Sequence, residues 1–333
     1  MTTSTVRING AGGDEIEAYL ARPEGDGPRG GVVVIHHMPG YDRATKEIVR
    51  RFAELGYDAI CPNLYYREAP GASPADAAAA ARARGGVPDD RLVGDVGGAA
   101  TYVRGLPTSN GKVGVIGYCS GGRQAVLAAC NLDLDAAVDC YGAFVTGTPP
   151  EGAPMRSNLV DQLPDLRAPL LGLFGVEDQY PSPKQVAELG QILQTHGKAH
   201  ELHSYDDAGH AFFAVDRPSY RVAAANDGWE RIATLLQHPP EGLIMCTYAT
   251  VQVPVEGSGK GPEGDWLRLT TAAVYFDHPV HAMAEHTLNI DFAAPDRGPS
   301  ARVAVELTAD AARRLVGAIE AALALAGEPT SAG

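Results

Sequence analysis

Residues 113–125 read Val-Gly-Val-Ile-Gly-Tyr-Cys-Ser-Gly-Gly-Arg-Gln-Ala. A short apolar run enters a turn of the form Gly117-x-Cys119-x-Gly121, and an alanine-rich segment that can be helical leaves it. That is the strand–turn–helix context of a nucleophile elbow, with a thiol where a hydroxyl more often sits. Glycines two before and two after the nucleophile suit a sharp turn with a strained central residue, because a side chain there would collide with the strand and the helix. Cys119 is then expected at the top of a sheet, near the N-terminus of the next helix, whose positive end favours a thiolate. The plain alternative is a glycine-rich turn around a buried cysteine.

An elbow needs a parallel sheet around it, and the chain reads as one. Thr5–Ile8 and Glu15–Ala21 alternate on either side of a glycine-rich turn, an opening hairpin. Gly31–His36 is a continuous β-branched run, as in a strand buried on both faces. Tyr57–Pro62, Ala136–Gly142, Pro169–Gly175 and Glu201–Tyr205 are further strands. Between them lie helices at Lys46–Leu55, within Glu68–Asp89, at Asp90–Arg104, after the elbow, at Ser182–His196 and at Ser219–Leu236. This alternation predicts an α/β, doubly wound, mostly parallel sheet over residues 1–238. A Pro-rich boundary at His238–Gly242 then leads into strands at Leu243–Val255, Asp265–Phe276, Thr287–Phe292 and Ala301–Leu307, and a helix at Ala309–Ala326. Residues 239–333 read as a small separate α+β domain.

Net charge is −14 with no Lys/Arg-rich run, which argues against nucleic acid and anionic membranes as partners. The five cysteines form no C-x-x-C pair, so a disulfide framework is not expected. The start lacks the basic and apolar regions of a signal peptide, and no apolar run reaches spanning length. The expectation is a soluble, cytoplasmic protein.

Cys119, Asp178 and His210 each follow a strand, in the order nucleophile, acid, histidine that α/β-hydrolases use. A thiol with a reference pKa of about 8.5 is mostly protonated at neutral pH, so a general base helps it. His210 can take that proton and return it to a leaving group. Asp178 can hold the imidazole in the useful tautomer and stabilise its cation. Gly209 is expected to let the backbone turn so that the ring reaches inward. Backbone N–H groups of Ser120 and of Met38 or His37, in the loop after the Gly31–His36 strand, would bind the oxyanion.

The Gly-Tyr-Cys-Ser-Gly-Gly elbow, the Gly175–Pro183 stretch and Asp207-Ala-Gly-His-Ala-Phe-Phe213 together resemble the dienelactone hydrolase family, carboxymethylenebutenolidases within the α/β-hydrolase superfamily. The resemblance spans about residues 5–237. It implies a Cys119–Asp178–His210 triad acting through an acyl-enzyme on small esters or lactones, without metal or cofactor. Two positions depart from the family pattern. A Glu often follows the first-loop histidine, and here that place is His37. An arginine that binds a substrate carboxylate would fall near Ala214, and Arg217 lies three residues on. A bulkier or less acidic substrate follows, in a pocket lined by His37, Tyr65, Tyr66, Arg67, Tyr118, Tyr141, Phe144, Phe212, Phe213 and Arg217. The alternatives are a cyclisation, lyase or carbon–carbon bond step in secondary metabolism on the same fold, or ligand binding without turnover.

The C-terminal domain lies outside the family's minimal unit. Its Asp277–His286 stretch carries three histidines, but their spacing matches no zinc-ligand pattern, so no metal is expected. A homodimer through this domain is one use for it.

Overall fold

The computed structural model describes residues 1–38, 40–149, 157–237, 251–260, 266–277, 287–294 and 302–326, in two compact units, Met1–Met245 and Cys246–Gly333. In the first, β1 (Thr2–Asn9) and β2 (Glu15–Arg22) form the antiparallel hairpin that the alternation predicts. The elements that follow are β3 (Arg29–Ile35), α1 (Arg43–Glu54), β4 (Asp58–Pro62), α2 (Pro74–Ala83), α3 (Asp89–Arg104), β5 (Ser109–Tyr118) and α4 (Ser120–Asn131). After these come β6 (Ala136–Cys140), β7 (Leu170–Gly175), α5 (Pro183–Thr195), β8 (His200–Tyr205) and α6 (Val222–Gln237). The sheet order is β1-β2-β4-β3-β5-β6-β7-β8. Only the β1–β2 and β2–β4 pairs are antiparallel; the remaining pairs run parallel.

The β-branched run explains why β3 is central. Val32, Val33, Val34 and Ile35 are fully buried, and successive side chains enter opposite cores. Val33 and Ile35 join the core made with α2, α3, α4 and α5. Val32 and Val34 join Val49 and Phe52 of α1 and Trp229 and Ile232 of α6. Layers of helix on both faces leave the sheet's C-terminal edge as the open place for a site.

Capping residues set the helix starts. Asp42 accepts the Thr45 N–H at 2.8 Å at the head of α1. Ser182 and Gln185 form a reciprocal capping box on α5, with Pro183 in its first turn. Within the alanine-rich 68–89 stretch, the helix is confined to Pro74–Ala83 by the Ser73 cap and by Gly85 and Gly86, both at positive φ.

The second unit is an antiparallel sheet, order β12-β11-β10-β9, made of β9 (Val251–Lys260), β10 (Trp266–Asp277), β11 (Thr287–Ala293) and β12 (Arg302–Leu307). Helix α7 (Ala309–Leu325) follows. Its core is small, with Leu267, Leu269 and Ala294 buried and Val255 and Phe292 packed against them. Helix α7 buries Ala312 but leaves Leu315, Val316, Ile319 and Leu323 exposed, so its apolar stripe is wider than the face it buries. The 243–250 part of the first expected strand and the histidines at 278, 281 and 286 lie outside the described residues. Among the described residues no group of three or more His, Cys, Asp or Glu is placed to hold a metal, and no helix is long and apolar enough to cross a membrane.

Candidate active site

Cys119 stands between β5 and α4 at φ 56°, ψ −122°, a conformation that side chains other than glycine adopt only under strain. The flanking glycines permit it. A Cβ on Gly117 would lie 1.8 Å from the Gly121 carbonyl oxygen, and one on Gly121 would lie 2.5 Å from that of Ile35. The Cys119 N–H donates to the Cys140 carbonyl at 3.0 Å, which ties the Cys119 backbone to β6. Among the described cysteines, Cys61, Cys130 and Cys140 are buried and Cys119 is half-exposed. Burial raises the thiol pKa of Cys61 and Cys140, and pushes that of Cys130 up to about 12.

Two neighbouring loops deliver the other partners. The Glu177 N–H donates to the Ala208 carbonyl at 2.9 Å, and a Cβ on Gly175 would meet the Ala208 oxygen at 2.3 Å. The β7–α5 and β8–α6 loops are therefore in backbone contact. That contact lets His210 Nδ1 donate to Asp178 Oδ2 at 2.7 Å, while Asp178 Oδ1 accepts the Tyr180 N–H at 2.9 Å. Both carboxylate oxygens are held, so the imidazole tautomer is set. Burial opposes a charge on His210, but hydrogen bonds to Asp178 and Cys119 outweigh it and raise its pKa to about 10. The turn that aims the ring is at Ala211, φ 65°, and not at Gly209. Gly209 has no positive φ, and a Cβ there would meet nothing nearer than 3.8 Å. Tyr141, also left-handed at φ 46°, packs its ring edge-on to His210 with centroids 5.1 Å apart.

Cys119 and His210 open into a cavity of about 610 Å³. The paired first-loop histidines divide their work. His36 is buried: Nδ1 lies 3.1 Å from the His37 carbonyl, Nε2 accepts the Leu64 N–H at 3.3 Å, and burial drops its pKa to about 4. It braces the loop in neutral form. His37 lines the cavity, with Nε2 3.2 Å from Asp42 Oδ2. Burial works against the Asp42 charge, yet hydrogen bonds from His37 and the Thr45 N–H hold its pKa at about 2. Met38 lines the cavity too, its sulfur accepting from Arg82 at 3.0 Å. Ser120 is the first residue of α4, so its N–H has no acceptor within the helix.

Of the expected pocket residues, His37, Tyr118, Tyr141, Phe213 and Arg217 line this cavity. The others do not. Arg67 is drawn to Asp95, which it grips through two bonds of 2.8 and 2.9 Å, and to Asp14 at 2.9 Å. A buried carboxylate needs that partner more than a cavity needs a cation. Tyr66 is held by Arg7. Tyr65 packs its ring on His36 at 4.8 Å and faces two smaller cavities. Phe144 lies against Tyr180, and Phe212 is a fully buried core residue between Tyr141 and Tyr205. The sequence reading missed the wall from the head of α1 and from α6: Asp42, Ile48, Arg51 and Trp229. Arg51 stacks over Trp229 at 4.0 Å. A tryptophan in a chain with only two was the available signal.

The model of the "Dienelactone hydrolase family" matches residues 16–239, and that of a "Family of unknown function (DUF6295)" matches residues 245–332. The chain is 38% identical over 226 residues to the Escherichia coli K12 protein named "Putative carboxymethylenebutenolidase", covering 66% of this chain and 81% of that protein. It is 30% identical over 234 residues to the carboxymethylenebutenolidase of Pseudomonas putida, covering 68% of this chain and 92% of the other. The crystal structure titled "Putative Dienelactone Hydrolase" from Klebsiella pneumoniae superposes with a TM-score of 0.63 at 30% identity, over 71% of this chain and 98% of that one. Sheet order, elbow and family match agree, and the chain belongs to the dienelactone hydrolase family as a hydrolase of esters or lactones.

Proposed function

We propose that the chain cleaves a small ester or lactone through a covalent acyl-enzyme on Cys119. One observation carries the reading: the 2.7 Å His210–Asp178 bond lies behind a cysteine held at φ 56°. The raised pKa of His210 favours a resting imidazolium beside the Cys119 sulfur. Cys119 Sγ attacks the carbonyl carbon, and the oxyanion takes hydrogen bonds from the backbone N–H groups of Ser120 and Met38. His210 gives its proton to the leaving oxygen as the thioester forms. Water then loses a proton to His210 and attacks the thioester carbon; collapse expels the Cys119 sulfur and releases the carboxylic acid, leaving His210 protonated as at the start. Asp178 keeps the ring oriented and stabilises its cation throughout.

The cavity walls favour a substrate with apolar bulk. Tyr118, Tyr141, Phe213 and Trp229 supply aromatic surface, and Ala214 leaves space beside Arg217. Turnover of p-nitrophenyl acetate by the wild type, abolished in Cys119→Ala, is the test. Iodoacetamide should label Cys119 ahead of the buried thiols. Full ester hydrolysis by Cys119→Ala would overturn the reading.

A further inference from the structure

Asp139 is a fully buried carboxyl that the reaction above does not use. It is the penultimate residue of β6, and its register neighbours are Gly117 on β5 and Gly172 on β7. Above it sits the first turn of α4, where a Cβ on Gly122 would lie 2.2 Å from Asp139 Oδ1. Oδ1 accepts the Gly142 N–H at 2.7 Å, closing a short loop over Cys140 and Tyr141. Oδ2 is buried without a hydrogen-bond partner among the described residues. The closed loop holds the left-handed Tyr141 whose ring lies against His210, and it is continuous with the Cys140 carbonyl that fixes Cys119.

Resting on the thiol reading above, we propose that Asp139 is a positioning residue of the active site. Its carboxyl sets the Tyr141 ring against His210, and its ionisation is felt by that imidazole. Burial pushes the Asp139 pKa up to about 7, against the pull of the Gly142 N–H and the charge of His210. The ionisable groups facing it are Cys140 on its own strand and His210 from the β8–α6 loop. β5, β7 and α4 meet it with Gly117, Gly172 and Gly122. No cation is bonded to it among the described residues, so its charge changes in the neutral range and acts on the catalytic histidine.

The test is the pH profile of kcat for wild type, Asp139→Asn and Asp139→Ala, with Cys119→Ala beside them and folding checked by circular dichroism. Asn keeps the acceptor for Gly142 but cannot ionise, so an inflection in the neutral range should vanish. Ala also loses the turn, and kcat should fall about 10- to 100-fold through misplacement of the ring. If Ala does not fold, the Asn profile alone decides. Superimposable wild-type and Asn profiles, or an Ala variant with wild-type kcat, overturn the role of Asp139 while an inert Cys119→Ala leaves the thiol mechanism standing. An active Cys119→Ala overturns the thiol reading and this inference with it.

Discussion

At residue scale, the thiol chemistry proposed for Cys119 rests on the imidazole of His210, which Asp178 holds through Nδ1. Asp178→Asn keeps the shape but changes the hydrogen bond that selects the tautomer, so kcat should fall about 10²- to 10⁴-fold with the fold intact. The raised pKa of His210 also makes it a stability group. Its contribution is complete below the unfolded value of about 6.5 and is lost as pH rises through about 10. His210→Ala should therefore lower the melting temperature more at pH ~6 than above pH ~10. Asp139 works in the opposite sense: its folded pKa is raised by burial to about 7, so its cost appears above the unfolded value of about 3.9 and is full once it ionises. Melting curves should show Asp139→Asn gaining stability over wild type between pH ~4 and ~7, with the gain then level. That Cys119, Asp178 and His210 come to one edge of the sheet was legible, because each follows a strand within a local motif. Asp139 was not, since a carboxylate at the end of an apolar strand carries no local mark of what lies above it.

At the scale of elements, the hydrolase unit was legible wherever one rule acted alone. The β-branched run of β3, the Ser182 cap and the elbow glycines each have one reading. The pocket wall was harder. Arg67 and Tyr66 follow β4 at the expected edge, yet a buried Asp95 and an exposed Arg7 claim them, and only three-dimensional packing reveals such partners. Helix α1 turned out to be a wall because Asp42, capping its start, also holds His37. Removing that cap with Asp42→Ala should cost about 1 kcal/mol by denaturant melting. The same variant should alter KM, because it frees a residue lining the cavity. Unchanged stability and kinetics together would deny α1 this role.

For the whole molecule, two units with separate cores predict two behaviours on heating. The first has extensive cores on both faces of its sheet, and the second has the small cluster around Leu267 and Leu269. Calorimetry should resolve a second, smaller transition below the main one, and a single two-state transition would contradict it. Chemistry is assigned to the first unit alone. The most direct test is mass spectrometry of the enzyme quenched during turnover of p-nitrophenyl acetate, with peptides mapped. The account predicts an acetyl thioester on Cys119, absent from Cys119→Ala and longer-lived when Asp178→Asn slows deacylation. Turnover with Cys119 unmodified at every time point, or acetyl carried by another residue, would contradict it.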